Sequence, residues 1–402
     1  MDKADFKSNR GGTVVRTAEG YDAFVPAPLP PSIAFDAALV RALSEADAAV
    51  GHLRGVGSLL PNPYLLVRPF SAREAVLSSR IEGTHASLSD LFLFEAAPTH
   101  RPAVDDVREV FNYADALRHG LAPDRALPIS LRLIRELHGI LMRDARGAHL
   151  TPGEFRRSQN WIGPAHASLP QATYVPPSVE QMHGALADLE MWLHADSDLP
   201  PLVRLAIIHW HFEAIHPFLD GNGRVGRLLV SLLLCEWRLL DTPLLYLSVF
   251  FERHRTAYYD GLLAVSQRGE WEAWITFFLE GVATQARDAI ARAKRLLDLR
   301  DTYTQRLRDA RAPAASQLLI DALFERPIVT VANAMTATGL TYPGAAKNLR
   351  RLEGLGIIDE MRHTRRPRAF VAREILRMID DEIVVNHVPP AAPVTRVAGR
   401  AV

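Results

Sequence analysis

His216-Pro217-Phe218-Leu219-Asp220-Gly221-Asn222-Gly223-Arg224-Val225-Gly226-Arg227 decides how the chain is read. It joins a predicted helix, Leu202 to Ile215, to an apolar segment, Leu228 to Leu240, that reads as a second helix. Gly221 and Gly223 allow positive φ and carry no Cβ, so successive N–H groups can converge on one anion. The second helix adds the free N–H groups of its first turn and the positive end of its dipole. Arg224 and Arg227 lie three residues apart, so both guanidinium forks can reach one polyphosphate. Asp220 suits a hard cation such as Mg²⁺, and His216 stands where a base could take a proton from a nucleophile. These parts point to transfer from a nucleotide. A calcium loop would need alternating oxygen ligands and a late Glu, and neither follows.

The stretch resembles the active-site motif of the Fic family, HPFx[D/E]GNGRxxR, at every fixed position. The resemblance implies a mainly α fold: a Fic-type helical bundle with a β-hairpin flap. It implies protein adenylyltransferase activity, with Mg-ATP as donor and a Ser, Thr or Tyr hydroxyl of a target protein, or of the chain itself, as acceptor. His216 is then the base, Asp220 the metal ligand, and Phe218, Gly221, Asn222, Gly223, Arg224 and Arg227 the nucleotide-binding set, with Phe218 anchoring the loop in the core. Relatives that phosphorylate instead resemble a motif with Lys at the position of Gly223, which favours AMP transfer here. Another donor nucleotide, removal of AMP, or a transcription regulator that merely senses nucleotide are the competing readings.

Upstream, Pro69 to Ala96 has a long helical pattern. Within it, Ser78, Glu82 and Gly83 match the family's inhibitory motif, [S/T]xxxE[G/N]. A carboxylate there can pair with an arginine of the anion site, so Glu82 is expected to compete with the γ-phosphate for Arg227. Thr151 to Pro177 holds two β-prone runs, Trp161-Ile162-Gly163 and Thr173-Tyr174-Val175, a pattern for a hairpin. In the family a flap at this place holds the target through main-chain pairing, which singles out Ile162, Gly163, Tyr174 and Val175. Gly153-Glu154-Phe155-Arg156 and the aromatic stretch around Tyr258 and Tyr259 also resemble the family, and Tyr259 is the chosen adenine wall. His209 and His211 are two apart on a helix and face different ways, unlike a zinc pair at i, i+4.

The rest of the chain divides by composition. Residues 1–33 are polar, then proline-dense, and read as a flexible or extended lead-in. Residues 34–103 read as a helical region carrying the inhibitory helix, and 104–311 as the catalytic domain. Helices are expected over Ala34–Arg54, Val104–Leu121, Ile129–Arg143, Val179–Ala195 and Val282–Arg308. Residues 312–380 give the order of a winged helix-turn-helix, with Lys347, Arg350 and Arg351 on its third helix and Arg365, Arg366 and Arg368 on its wing, for DNA or protein docking. Residues 381–402 read as a disordered tail.

Global composition narrows the partners. Lys+Arg and Asp+Glu both number 46, so any polyanion contact must be local. The single cysteine, Cys235, excludes an internal disulfide and sits in an apolar run where burial is expected. No signal peptide or membrane span is visible, so a cytoplasmic protein, and a possible homodimer, are expected.

Overall fold

A computed structural model describes residues 1–59, 64–97, 106–125, 127–147, 149–164, 167–361 and 367–380. The fold is mainly helical, as read. A hairpin, β1 (Gly12–Arg16) and β2 (Asp22–Pro26), opens the chain. Helices α1 (Ala37–Leu59), α2 (Tyr64–Ile81), α3 (Leu88–Ala96), α4 (Val107–Gly120) and α5 (Leu131–Leu141) follow, then α6 (Val179–His194), α7 (Pro201–Ile215) and α8 (Asn222–Glu236). Short α9 (Ser248–Arg253) and α10 (Arg255–Arg268) lead into α11 (Trp271–Asp309), a helix of 39 residues. The C-terminal part runs α12 (Ala314–Glu325), β3 (Ile328–Thr330), α13 (Val331–Thr338), α14 (Tyr342–Gly354), β4 (Asp359–Glu360), β5 (Ala369–Val371) and α15 (Arg373–Ile379). Its sheet has the order β3-β5-β4, all antiparallel. Helix, strand, two helices and two strands is the order expected of a winged helix. Arg365, Arg366 and the tail 381–402 lie outside the described residues.

The organising element is α7. Leu202, Val203, Leu205, Ala206, Ile207, Ile208, Trp210 and Phe212 are all buried, so it is apolar on every side and belongs at the centre. Helices α6, α8, α10 and α11 pack around it. Caps set several boundaries: Ser87 with Asp90 at α3 and Ser178 with Gln181 at α6 form reciprocal capping boxes.

Four expectations change. The pattern from Pro69 to Ala96 is two helices. It begins earlier, at Tyr64, and breaks after Ile81, because Gly83 takes φ 94° and the Ser87 cap starts α3. The lead-in is not flexible chain: its hairpin is pinned, with Phe24 fully buried and its N–H bonded to the Val175 carbonyl at 2.9 Å. Arg10 ties the same segment to Glu272 on α11 at 2.6 Å. The Thr151–Pro177 excursion is not a two-stranded hairpin but a loop closed by one antiparallel bridge, Ile162 to Tyr174. Finally, the second helix of the motif starts at Asn222, six residues before the expected Leu228, and ends at Glu236. Gly223, Arg224 and Arg227 are therefore helical residues, not loop residues.

Candidate active site

The site is built where α7 ends and α8 begins. His216 closes α7 in the left-handed region, φ 49° and ψ 60°, a conformation that costs a non-glycine residue about 1–3 kcal/mol. Its neighbours hold it there. The buried Arg156 donates from Nε to the His216 carbonyl at 3.1 Å, and Asn160 Nδ2 donates to the same oxygen at 3.1 Å. The Arg156 N–H donates to the Pro217 carbonyl at 2.9 Å. The imidazole of His216 is half-buried at the end of α7. Nδ1 lies 3.3 Å from the Glu213 carbonyl, which makes Nδ1 the protonated nitrogen and leaves the Nε2 lone pair free. Burial lowers the His216 pKa to about 4, with the Glu213 carbonyl opposing, so the ring is neutral at pH 7.

Phe218 anchors the loop, as read. It is fully buried and stacks on His138, ring centroids 3.8 Å apart and planes within 8°. His138 accepts the Gly153 N–H on Nδ1 at 2.9 Å and reaches the Asp220 carbonyl from Nε2 at 3.0 Å. The Asn222 amide clamps Phe218 at both ends: Oδ1 accepts its N–H and Nδ2 donates to its C=O, each at 2.8 Å. That side chain is thereby committed to shaping the loop. Gly221 follows at φ 81° as the N-cap of α8, and no side chain caps the helix. The first-turn N–H groups have no intrahelical acceptor and are available to an anion. Asp220 is 40% exposed at the rim, and its Oδ1 accepts the Gly221 N–H at 2.6 Å.

The two arginines part company. Arg224 turns into the core, where its NH1 pairs with the buried Glu109 of α4 at 2.9 Å, 3.6 Å on the other side from Asp220. Arg227 meets α2: Nε donates to Ser78 Oγ and NH2 to the Ser78 carbonyl, both at 2.9 Å. NH2 also pairs with Glu82 Oε1 at 2.7 Å, while the buried NH1 has no partner. Burial alone would raise the Glu82 pKa, but Arg227 overrides it, with Arg224 and His216 behind, and the carboxyl is held below its ordinary value. A Cβ on Gly223 would strike the Glu82 carboxylate and lie 2.9 Å from Arg227 NH1. The two forks thus do not converge. One braces the loop from behind, and the other faces Glu82 across the α8 N-terminus.

Three acids here were not read from sequence. Glu213, one turn before His216, points an unpartnered buried oxygen beside Gly226. Burial, opposed by Arg227 and reinforced by Glu82, raises its pKa to about 8. Glu74 lies two turns before Glu82 on α2 and accepts from Tyr113 at 3.0 Å and from Ser248 at 2.5 Å. Glu109 completes the set. Only the i−3 spacing of Glu213 from His216 offered a signal; the other two come from distant helices.

Of the flap residues, Ile162 and Gly163 are exposed, and Tyr174 and Val175 are buried. The Tyr174 hydroxyl donates to the Ala214 carbonyl at 2.9 Å, and Val175 supports the N-terminal hairpin, so these two face the core rather than a target. The Ile162 N–H and carbonyl are both taken by the bridge to residues 173 and 174. Tyr259 is 42% exposed with Arg255 5.9 Å above its ring, and Tyr258 is buried against His209, whose Nε2 lies 2.8 Å from its hydroxyl. His209 and His211 are both buried, and no cluster of three metal-ligating side chains occurs among the described residues. Burial raises the Cys235 thiol to about 12, an inert group. No described helix is long and apolar enough to cross a membrane.

The uncapped helix start, the exposed carboxylate at the rim, the cradle that a Cβ would fill and the orphaned Arg227 NH1 together suit a nucleotide's phosphates with a hard cation on Asp220. Comparison with known proteins agrees. Residues 40–122 match the Fic/DOC family N-terminal region, and residues 128–234 match the Fic/DOC family. A protein adenylyltransferase Fic from Drosophila virilis is 27% identical over 184 residues, 44% of this chain and 34% of that protein. The chain thus matches about a third of the length of such curated relatives. A Fic family protein from Desulfovibrio desulfuricans G20 shares the fold with a TM-score of 0.55 at 21% identity, over 85% of this chain and 98% of that one. Fic-1 from C. elegans (residues 134–508) gives 0.51 at 24% identity, over 64% of this chain and 74% of that one. Motif and matched regions lead to one conclusion: residues 40–122 and 128–234 carry the N-terminal region and the Fic domain of the Fic/DOC family.

Proposed function

We propose that this protein is a protein adenylyltransferase that moves AMP from Mg-ATP to a Ser, Thr or Tyr hydroxyl of a target protein, and to itself. One observation carries the reading: a neutral imidazole, its Nδ1 tied to the Glu213 carbonyl, presents a free Nε2 beside an uncapped helix N-terminus. The α8 N–H groups and Arg227 hold the phosphates, and Asp220 would hold Mg²⁺, which would supply positive charge to offset theirs. His216 Nε2 takes the hydroxyl proton as the new oxygen–phosphorus bond forms at the α-phosphate. The bond to pyrophosphate breaks in line, and pyrophosphate leaves. The exposed Ile162 side chain and Gly163 offer the outer face of the flap to the target segment, and Tyr259 offers a face to the adenine.

Glu82 gives the site a brake. Its carboxylate takes Arg227 NH2 and fills the space at Gly223 where a γ-phosphate would sit. His216→Ala should lower AMP incorporation from α-labelled ATP by ~10²–10⁴ while nucleotide still binds. Full labelling by that variant would overturn the mechanism. Label from γ-labelled ATP instead would make the enzyme a kinase.

A further inference from the structure

We infer that the outer face of α14 docks in the major groove of duplex DNA. Helix α13 stops at Gly339, φ 69°, whose N–H bonds to the Met335 carbonyl at 2.8 Å; Thr341 then precedes α14 in extended conformation and Pro343 sits in its first turn. The two helices pack on each other, and α14 turns Ala345, Asn348, Leu349 and Leu352 inward. At 3.6 residues per turn, Pro343, Lys347, Arg350 and Gly354 share the opposite face, with Ala346 and Arg351 at its sides. Lys347 and Arg350 are exposed and have no ion pair among the described residues.

Charge favours a polyanion over a protein surface. From Arg326 to Leu352 the sequence has no Asp or Glu, although the chain holds 46 of them. The first acid after that run, Glu353 near the C-terminal end of α14, accepts the Glu360 N–H at 3.4 Å, and in the adjoining sheet Asp359 pairs with Arg373 at 2.8 Å and Glu360 with Arg368 at 3.4 Å. Shape favours DNA among polyanions. The face sets two long cations, Lys347 and Arg350, between the small residues Pro343 and Gly354, on a helix about 20 Å long by its rise per residue. B-DNA offers a major groove about 12 Å wide that admits a helix, whereas the major groove of duplex RNA does not. This activity is independent of AMP transfer.

The full chain should be titrated against a fluorescein-labelled mixed-sequence DNA duplex, read by anisotropy at 50 and 200 mM salt. Micromolar binding that weakens at least tenfold over that range is expected, with at least fivefold preference over an RNA duplex of equal length. The double variant Lys347→Glu/Arg350→Glu should bind at least tenfold more weakly, with a salt slope reduced by about 2, and label itself with AMP at the unaltered rate. Lack of binding at 50 mM salt overturns the proposal and leaves the face to a protein partner. Equal binding of RNA, or undiminished binding by the double variant, overturns it as well.

Discussion

Replacing Glu82 by Gln tests whether its charge restrains the site, since shape and one oxygen are kept. Arg227 is 2% exposed and its partner carboxylate 32%, so the bond is shielded on one side only. A hydrogen bond between ionised groups contributes about 1.5–3 kcal/mol, and a neutral partner retains about half. The amide should therefore release Arg227 by about 0.8–1.5 kcal/mol, which corresponds to about 4–12-fold faster self-labelling. Arg227 keeps both bonds to Ser78, so it should stay in place and the melting temperature should barely move. The assay is the initial rate of α-labelled AMP incorporation with ATP well below saturation. Glu82→Gly, which removes the whole pair, should gain about 10–100-fold. Adding Arg227→Ala should abolish either gain. A rate for Glu82→Gln within twofold of wild type would refute the reasoning, and so would a gain that survives Arg227→Ala.

Three further outcomes are expected. Because burial lowers the His216 pKa to about 4 and the Glu82 charge holds it up, labelling by Glu82→Gly should fall on the acid side with an apparent pKa of about 4 or below rather than 6.5, read from a pH–rate profile. Glu213, raised to about 8 by burial, is protonated when folded and ionised when unfolded at neutral pH. Its stabilising contribution is complete below about pH 4 and is lost as pH rises toward 8, so Glu213→Gln should flatten the fall in melting temperature from pH 5 to 8. Asn222→Ala removes both ends of the Phe218 clamp and should cost about 2–4 kcal/mol, seen as a lower melting temperature, with Asn222→Asp recovering part through its acceptor oxygen.

Much of this was legible in the sequence, but unevenly. The motif marked the residues that meet where α7 ends and α8 begins, and the periodicity of α5, α6 and α7 located core helices to within a few positions. It did not reveal what each motif residue touches. Asn222 and Arg224 look like phosphate ligands on paper, yet one folds back onto Phe218 and the other finds Glu109, more than a hundred residues earlier. The start of α8 was missed because Gly223, Arg224 and Gly226 interrupt the apolar pattern, although helix geometry is what brings Arg227 onto Ser78. Prolines suggested a loose N-terminus, while the burial of Phe24, a tertiary fact, decides its structure. The break after Ile81 was visible only in Gly83, one residue in a strong helical pattern.

Gly223 has a hydrogen where other residues carry carbon, and the Glu82 carboxylate and Arg227 NH1 crowd the place that carbon would take. On the proposed mechanism, a third phosphate would enter by displacing the Glu82 carboxylate from Arg227. On the proposed reading, restraint is then a contest between two anions for one berth. Its depth would follow the cell's supply of nucleotide rather than being fixed by the fold.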